Sequence, residues 1–414
     1  MKAILGCYHT TPTAAMEIET GLPPTWLRLQ TKVLLAARRL QSLSARHPIQ
    51  PWVEEACRTS TAAIKHRSML GNIYNQFPFT TARIESIEPY VRAPWWTTRA
   101  VIQVAQSKEI AKALHDNHVT DNDTMIIYTD GSGIDGRIGA AAINKSTSQI
   151  SHQHLGKQTH FNVYGAELTA INLGITQWIN HRSTYPNCHI LTDSQAACAS
   201  IEKPKRQSGQ AIIAAILNQI DSVTNSSSQL KITWIPGHME IEGNEQADAE
   251  AKHAATTPTA SKAFRYPPLK SCRAQKIKTM AKEQWNKAWL TKTQTAHHLR
   301  RISTKQGIKT GPKLYNSISS RATCTQIVQL RTGHCGLNKY LHRFKKRDSP
   351  TCECGYGAET VEHFLLECPN YKEVRKELRK KVGTRKMNVA SLLGDAKTAE
   401  RTMEYIKATK RMEK

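Results

Sequence analysis

Residues 124–144 read TMIIYTDGSGIDGRIGAAAIN. TMIIYT (124–129) is β-branched and aromatic, which predicts a strand. Asp130-Gly131-Ser132-Gly133 reads as a turn, Ile138–Ile143 as a small-residue strand and Ser151–Gly156 as a third. A helix is expected over about 164–180, because Leu168, Ile171, Ile175 and Trp178 recur at intervals of three or four. A short strand at Cys188–Thr192, a helix from Ser194, an amphipathic helix at Ala211–Val223, a strand at Lys231–Ile235 and a helix over about 243–255 complete the segment. The order βββαβααβα predicts an α/β fold, a mixed five-stranded sheet with flanking helices. It is too irregular for a dinucleotide-binding fold.

Four acids stand where acids are least expected. Asp130 ends a buried-type strand in IIYTDGS, Glu167 opens a helix in VYGAELTAI, Asp193 ends another strand in HILTDSQAA, and Asp248 lies inside the last helix in NEQADAEA. Singly, each is an ordinary cap or turn residue. As an ordered set, they can converge on one sheet edge, where mutual repulsion demands neutralising cations. Carboxylate oxygens select hard ions such as Mg²⁺ or Mn²⁺. Two such ions about 4 Å apart suit in-line displacement at a phosphodiester.

Around this segment the charge is uneven. The chain carries 58 basic and 33 acidic side chains in 414 residues, a formal net charge of +25. Residues 1–120 are net +6, 121–256 net −4 and 257–414 net +23. A basic half beside an acid-bearing module implies a grip on a polyanion; a solubilising or import tail is the blander alternative. No apolar run approaches the roughly 18 residues that span a bilayer, and the opening MKAILGCYHTTPT lacks the apolar core of a secretory signal. No membrane association is expected, and the location is expected to be intracellular, nuclear or cytoplasmic. The ten cysteines are expected to be reduced. Residues 1–118 read as mostly helical, with Trp26–Ser44 the clearest stretch behind Pro23-Pro24. Residues 257–340 read as a basic linker, helical in pieces, and Lys372–Lys381 as a basic helix.

YTDGS, GAELTA, TDSQA and WIPGHMEIEGNEQAD occur in this order and resemble type 1 ribonuclease H over about 122–256. The resemblance implies a ribonuclease H-like sheet and hydrolysis of the RNA strand of RNA–DNA hybrids with two Mg²⁺ (or Mn²⁺) ions. Asp130 would bridge both ions, Glu167 and Asp193 would hold the ion that stabilises the leaving oxygen, and Asp248 the ion that activates water. His238 matches the family's loop histidine, which assists proton transfer or product release. Gly131, Ser132, Ser194 and Gln195 adjoin the acid-bearing strand ends and are candidates for backbone and 2′-OH contacts. Lys203, Lys205 and Arg206 are candidates for DNA-strand phosphates, with a solvated loop the equal alternative. Family members with a long basic insertion between helices differ here, so substrate grip is expected to fall to the basic flanks.

TCECGYGAETVEHFLLECPNY gives Cys352-x-Cys354-x8-His363-x4-Cys368. Three Cys and one His can close a tetrahedral structural Zn²⁺ site. Gly355 and Gly357 permit a tight turn, and Phe364-Leu365-Leu366 is expected as the core of a small unit over 341–381, followed by a tail at 382–414. This cluster with GHCGLNKYLHRFKKRDSP before it resembles the C-terminal end of LINE-like (non-LTR) retrotransposon polyproteins, notably fungal ones. AILGCYHTTPTAAMEIETGLPP resembles the stretch after their reverse transcriptase core. The chain shows no paired polymerase aspartates and no endonuclease domain, so polymerase activity is not expected and a fragment or truncated copy is. The competing reading is a catalytically decayed, nucleic-acid-binding fragment of a retroelement; retention of all four acids favours the enzyme.

Overall fold

The structure is a computed structural model that describes residues 1–60, 67–77, 83–116, 123–223, 228–257, 265–291, 296–303, 314–315 and 320–413. The segment boundaries expected at 118 and 122, and parts of the basic segment 257–340, lie outside the described residues. The chain forms two compact units, one of residues 32–278 and one of residues 1–31 with 279–414.

The first unit is built on a sheet. Its strands are β1 (Val101–Gln103), β2 (Thr124–Ile134), β3 (Arg137–Asn144), β4 (Gln149–Lys157), β5 (Asn187–Thr192) and β6 (Leu230–Trp234). Their spatial order is β1-β6-β5-β2-β3-β4. β2, β3 and β4 run antiparallel, whereas β5 and β6 join β2 in parallel. The sheet therefore has six strands rather than five: β1, from the segment read as helical, pairs in parallel with β6 through Val101↔Lys231 and Gln103↔Thr233. β6 would otherwise present unpaired N–H and C=O groups, and β1 covers them.

A second correction concerns Asp130–Gly133. These residues do not turn; β2 runs on through them to Ile134, and the chain reverses at Asp135-Gly136. Both turn residues have positive φ, 48° and 73°, as a two-residue hairpin needs. Asp130 consequently lies inside a strand, paired with Ala141.

Side chains alternate along β2. Met125 and Ile127 face one core with Leu168, Ile171, Ile175 and Trp178 of helix α2 (Val163–Asn180). Ile126 and Tyr128 face the other with Leu191, Ile235 and Ala247. Ala247 belongs to α5 (Glu242–Thr256), which meets the sheet through small residues. A β-carbon at Gly139 of β3 would overlap the backbone of Ala251 and Ala255. Helix α1 (Lys108–Asp116) precedes β2, while α3 (Gln195–Glu202) and α4 (Gln210–Val223) lie between β5 and β6. The flanks take part in this core: Ala100, Ala111, Leu269 and Cys272 are buried in the same cluster as α2.

In the second unit, helices Arg321–Thr332, Lys372–Val382, Val389–Gly394 and Ala396–Thr409 surround an apolar cluster. The residues read as a tail thus contribute two helices. Phe364 and Leu365 are not the core of an isolated small unit; they pack with Ile327, Leu378, Leu392, Leu393 and Ile406. Arg331 and Glu19, both fully buried, form an ion pair at 3.0 Å. No helix among the described residues is long and apolar enough to cross a membrane.

Candidate functional site

Parallel pairing of β2 with β5 ends at Thr129↔Thr192, so Asp130 and Asp193 are the next residues along these neighbouring strands. Glu167 arrives from α2, whose start is fixed by Asn162; the Asn162 side chain accepts from the Gly165 amide at 3.0 Å. Gly131 lets this helix approach, since a β-carbon there would stand 2.6 Å from the Ala166 carbonyl carbon. One carboxylate oxygen each from Asp130, Glu167 and Asp193 then lie within 4.8 Å of one another.

The electrostatics of this cluster are unfavourable as it stands. Burial, then Asp193 and Asp248, push the Asp130 carboxyl up to about 7. Burial, then Asp130 and Asp193, hold Glu167 well above the usual carboxylate range. Asp193 is raised by burial and by Asp248, with His238 opposing. Glu167 Oε2 is buried without a hydrogen-bond partner. Buried carboxylates crowded together, one oxygen orphaned, fit a cationic ligand.

Asp248 stands beside this group rather than within it. From α5 it raises all three neighbours, but its carboxylate accepts from the Lys252 ammonium one turn on. His238 is exposed on the loop after β6, in the left-handed region at φ 60°. This loop lies over Asp193: a β-carbon at Gly237 would stand 2.7 Å from Asp193 Oδ2.

The proposed substrate residues fall at several places. Gly131 is buried under α2 and Ser132 follows it on β2, half-buried. Ser194 caps α3 by accepting from the Ala197 amide at 3.3 Å, and Gln195 is exposed at the first position of that helix. Lys203, Lys205 and Arg206 are exposed on the loop between α3 and α4.

Two supporting residues were not singled out from the sequence. Trp234 Nε1 donates to the Asp193 carbonyl at 3.0 Å, fixing the end of β5. Lys112 Nζ of α1 donates to the Met239 carbonyl at 2.6 Å, holding the His238 loop. The Trp beside the PGH motif was a legible hint; Lys112 is 127 residues from its partner and left none.

The second cluster is in the other unit. Cys352, Cys354, His363 and Cys368 each offer a ligand atom within 4.8 Å of the rest. Cys352 Sγ and Cys368 Sγ are 3.7 Å apart, and Cys354 Sγ is 3.3 Å from His363 Nε2. A tetrahedral Zn²⁺ with Zn–S near 2.3 Å has an S–S edge of about 3.7 Å, whereas a disulfide requires about 2 Å. The Cys352–Gly357 turn is closed by the Cys352 amide on the Gly357 carbonyl at 2.8 Å, with φ 78° at Gly355 and 139° at Gly357. A π-helical turn, His363–Glu367, brings His363 and Cys368 together through a 2.8 Å hydrogen bond from the Cys368 amide to the His363 carbonyl. Glu367 Oε2 lies 3.6 Å from His363 Nδ1, the ring nitrogen turned away from Cys354.

Residues 122–256 match the RNase H family. A curated relative, the "Retrovirus-related Pol polyprotein from type-1 retrotransposable element R1" of Bradysia coprophila, is 43% identical over 44 residues. That alignment covers 11% of this chain and 4% of the polyprotein. This relative is from an insect and lends no support to the fungal placement expected from the sequence.

Proposed function

We propose that this protein hydrolyses the RNA strand of RNA–DNA hybrids at Asp130, Glu167, Asp193 and Asp248, and that it derives from a retroelement. The observation that carries this reading is the set of three carboxylates within 4.8 Å, one with a buried, unpaired oxygen. The family match over 122–256 supports the substrate class, and the R1 polyprotein supports the origin.

The donor set is all oxygen, which fits Mg²⁺ or Mn²⁺. When bound, two such ions supply Lewis-acid stabilisation of the scissile phosphate and an activated water. The chain's own residues do the rest. Asp130, Glu167 and Asp193 are the ligands held ready by β2, α2 and β5. Asp248, whose carboxylate accepts from Lys252, would be the fourth residue to hold such an ion. His238, exposed on a loop over Asp193, is proposed to move a proton or to help product leave. Gly131, Ser132, Ser194 and Gln195 are proposed to meet the hybrid's backbone and 2′-hydroxyls. Cys352, Cys354, His363 and Cys368 are proposed to hold one structural Zn²⁺, leaving no open position for chemistry.

The test is cleavage of a labelled RNA–DNA hybrid beside duplex RNA and duplex DNA of the same sequence, with Mg²⁺ and with chelator. Mg²⁺-dependent cutting of the hybrid's RNA alone is expected. Binding of the hybrid without such cutting would make the protein a binding module instead.

A further inference from the structure

The residues flanking the acidic module change the charge of the unit they join. Residues 121–256 are net −4, yet the compact unit 32–278 is net +8, because 32–120 and 257–278 each add +6. Part of that charge is gathered at one point, the N-terminal end of α2.

Glu85, buried and drawn from the leading flank, organises this point. Its carboxylate accepts from the Lys270 amide at 2.7 Å, from the Gly209 amide at 2.8 Å and from the Ser208 hydroxyl. Arg38 Nη1 donates to the Lys270 carbonyl at 2.7 Å. The Arg206 loop is pinned to α2, with Gln207 Nε2 donating to the Tyr164 hydroxyl at 2.6 Å. Asn162, the cap of α2, donates to Ser271 Oγ at 3.4 Å. Three segments distant in sequence thus meet within a turn of Tyr164, and Tyr164 is three residues before Glu167.

Four cations result: Arg38 and Arg39 in the last turn of helix Thr25–Gln41, Arg206 and Lys270. Arg39 and Arg206 are exposed, and Lys270 is half-buried. Arg38 bonds the Lys270 carbonyl, Arg39 follows it on the same helix, and burial, Arg38, Arg206 and Arg39 depress the Lys270 ammonium against the opposing pull of Glu85, so the three arginines surround Lys270. None forms an ion pair with a carboxylate among the described residues. Arg38 Nε is buried without a partner. Glu85 is the carboxylate that acts on Arg38 and Lys270, and its oxygens are already engaged by two backbone N–H groups and a hydroxyl. Like charges held together by the fold are costly unless a ligand compensates them.

We infer that Arg38, Arg39, Arg206 and Lys270 form a clamp for the sugar-phosphate backbone of the nucleic acid whose cleavage is proposed above. The clamp is assembled from both flanks and the α3–α4 loop. Its ligand is a polyanionic backbone, read without regard to base sequence. From the cap of α2 to Glu167 is five residues, about 7 Å along the helix. That distance allows one bound backbone to reach both the clamp and the acids. The inference rests on the ribonuclease reading only for the identity of the nucleic acid.

The test uses the full chain with Arg39→Gln and Arg206→Gln combined, both sites being exposed. Binding of a fluorescent RNA–DNA hybrid is measured in metal-free buffer across a salt series, all proteins carrying Asp130→Asn. Loss of two phosphate contacts should make the log–log salt slope shallower by about 2 and weaken binding roughly ten-fold near 0.15 M salt. Arg39→Lys with Arg206→Lys should keep the slope. A control that removes two charges elsewhere, Lys145→Gln with Arg182→Gln, should also keep it. Removing like-charge repulsion should leave the melting temperature of the Gln variant unchanged or raised. An unchanged slope in that variant, or an equal change in the control, overturns the clamp. Because cleavage is not read, failure of the ribonuclease reading would appear separately, as wild-type protein that binds but does not cut.

Discussion

Gly131 lies so close to the backbone of Glu167 that no β-carbon fits between them. The glycine follows the aspartate on β2, and the glutamate sits on the helix above. The spacing of the two carboxylates is therefore set by a missing methyl group. Gly131→Ala should push α2 off the sheet, cost about 1–3 kcal/mol by overpacking and lower cleavage more than it lowers hybrid binding. Thermal denaturation with parallel kinetics checks this; wild-type activity in Gly131→Ala would show that Glu167 need not be held there.

Crowding of the acids makes metal-free stability depend on pH. Asp130 ordinarily titrates at 3.8 but is raised to about 7 in the folded chain. Between these values the folded state holds a proton that the unfolded state has lost, so stability falls as pH rises through this window. With chelator present, the melting temperature of the unit containing 32–278 should drop between about pH 4 and pH 7. Mg²⁺ should restore it most at the alkaline end, and Asp130→Asn should flatten the dependence. A metal-free profile identical in wild type and variant would contradict the coupling.

His238→Ala should slow cleavage by about a hundred-fold without abolishing it, because the carboxylates remain in place. Lys112→Ala frees the Met239 carbonyl that anchors the same loop. It should reproduce a fraction of that loss with unchanged hybrid affinity. Complete inactivity of His238→Ala would assign the histidine a different role.

Elemental analysis of protein purified without chelator should find one zinc per chain, lost in Cys354→Ser. The consequence should reach beyond the cysteines. Arg375 donates to the Cys368 carbonyl at 2.6 Å and the Tyr405 hydroxyl to the Phe364 carbonyl at 2.6 Å. Limited proteolysis should therefore open helices Lys372–Val382 and Ala396–Thr409 as well as the metal-binding turns. Zinc-free protein with an unaltered digestion pattern would argue against the site.

Much of the acidic module was legible because its signals are local. The β-branched run at 124–129, the three-and-four spacing from Leu168 to Trp178 and the acids in their motifs each need only a few neighbouring residues. The C-x-C-x8-H-x4-C spacing was legible for the same reason. The hairpin was misplaced because Asp130-Gly-Ser-Gly has turn composition, yet Gly131 serves helix packing and the reversal occurs at Asp135-Gly136. What stayed hidden depends on distant partners. β1 is too short to signal a strand and exists because β6 has a free edge. Glu85 looks like any surface acid until Ser208, Gly209 and Lys270 converge on it. Asp248 shows its motif in the sequence, but not its bond to Lys252.

The most direct test of the central claim is a single gel: full-length wild type and Asp130→Asn incubated with a hybrid labelled on both strands, with and without Mg²⁺. Wild type should cut the RNA strand only, leave the DNA strand whole and require Mg²⁺, while Asp130→Asn binds the hybrid and leaves it intact. Equal cleavage by the two proteins, or an uncut RNA strand in a hybrid that wild type binds in Mg²⁺, would contradict it.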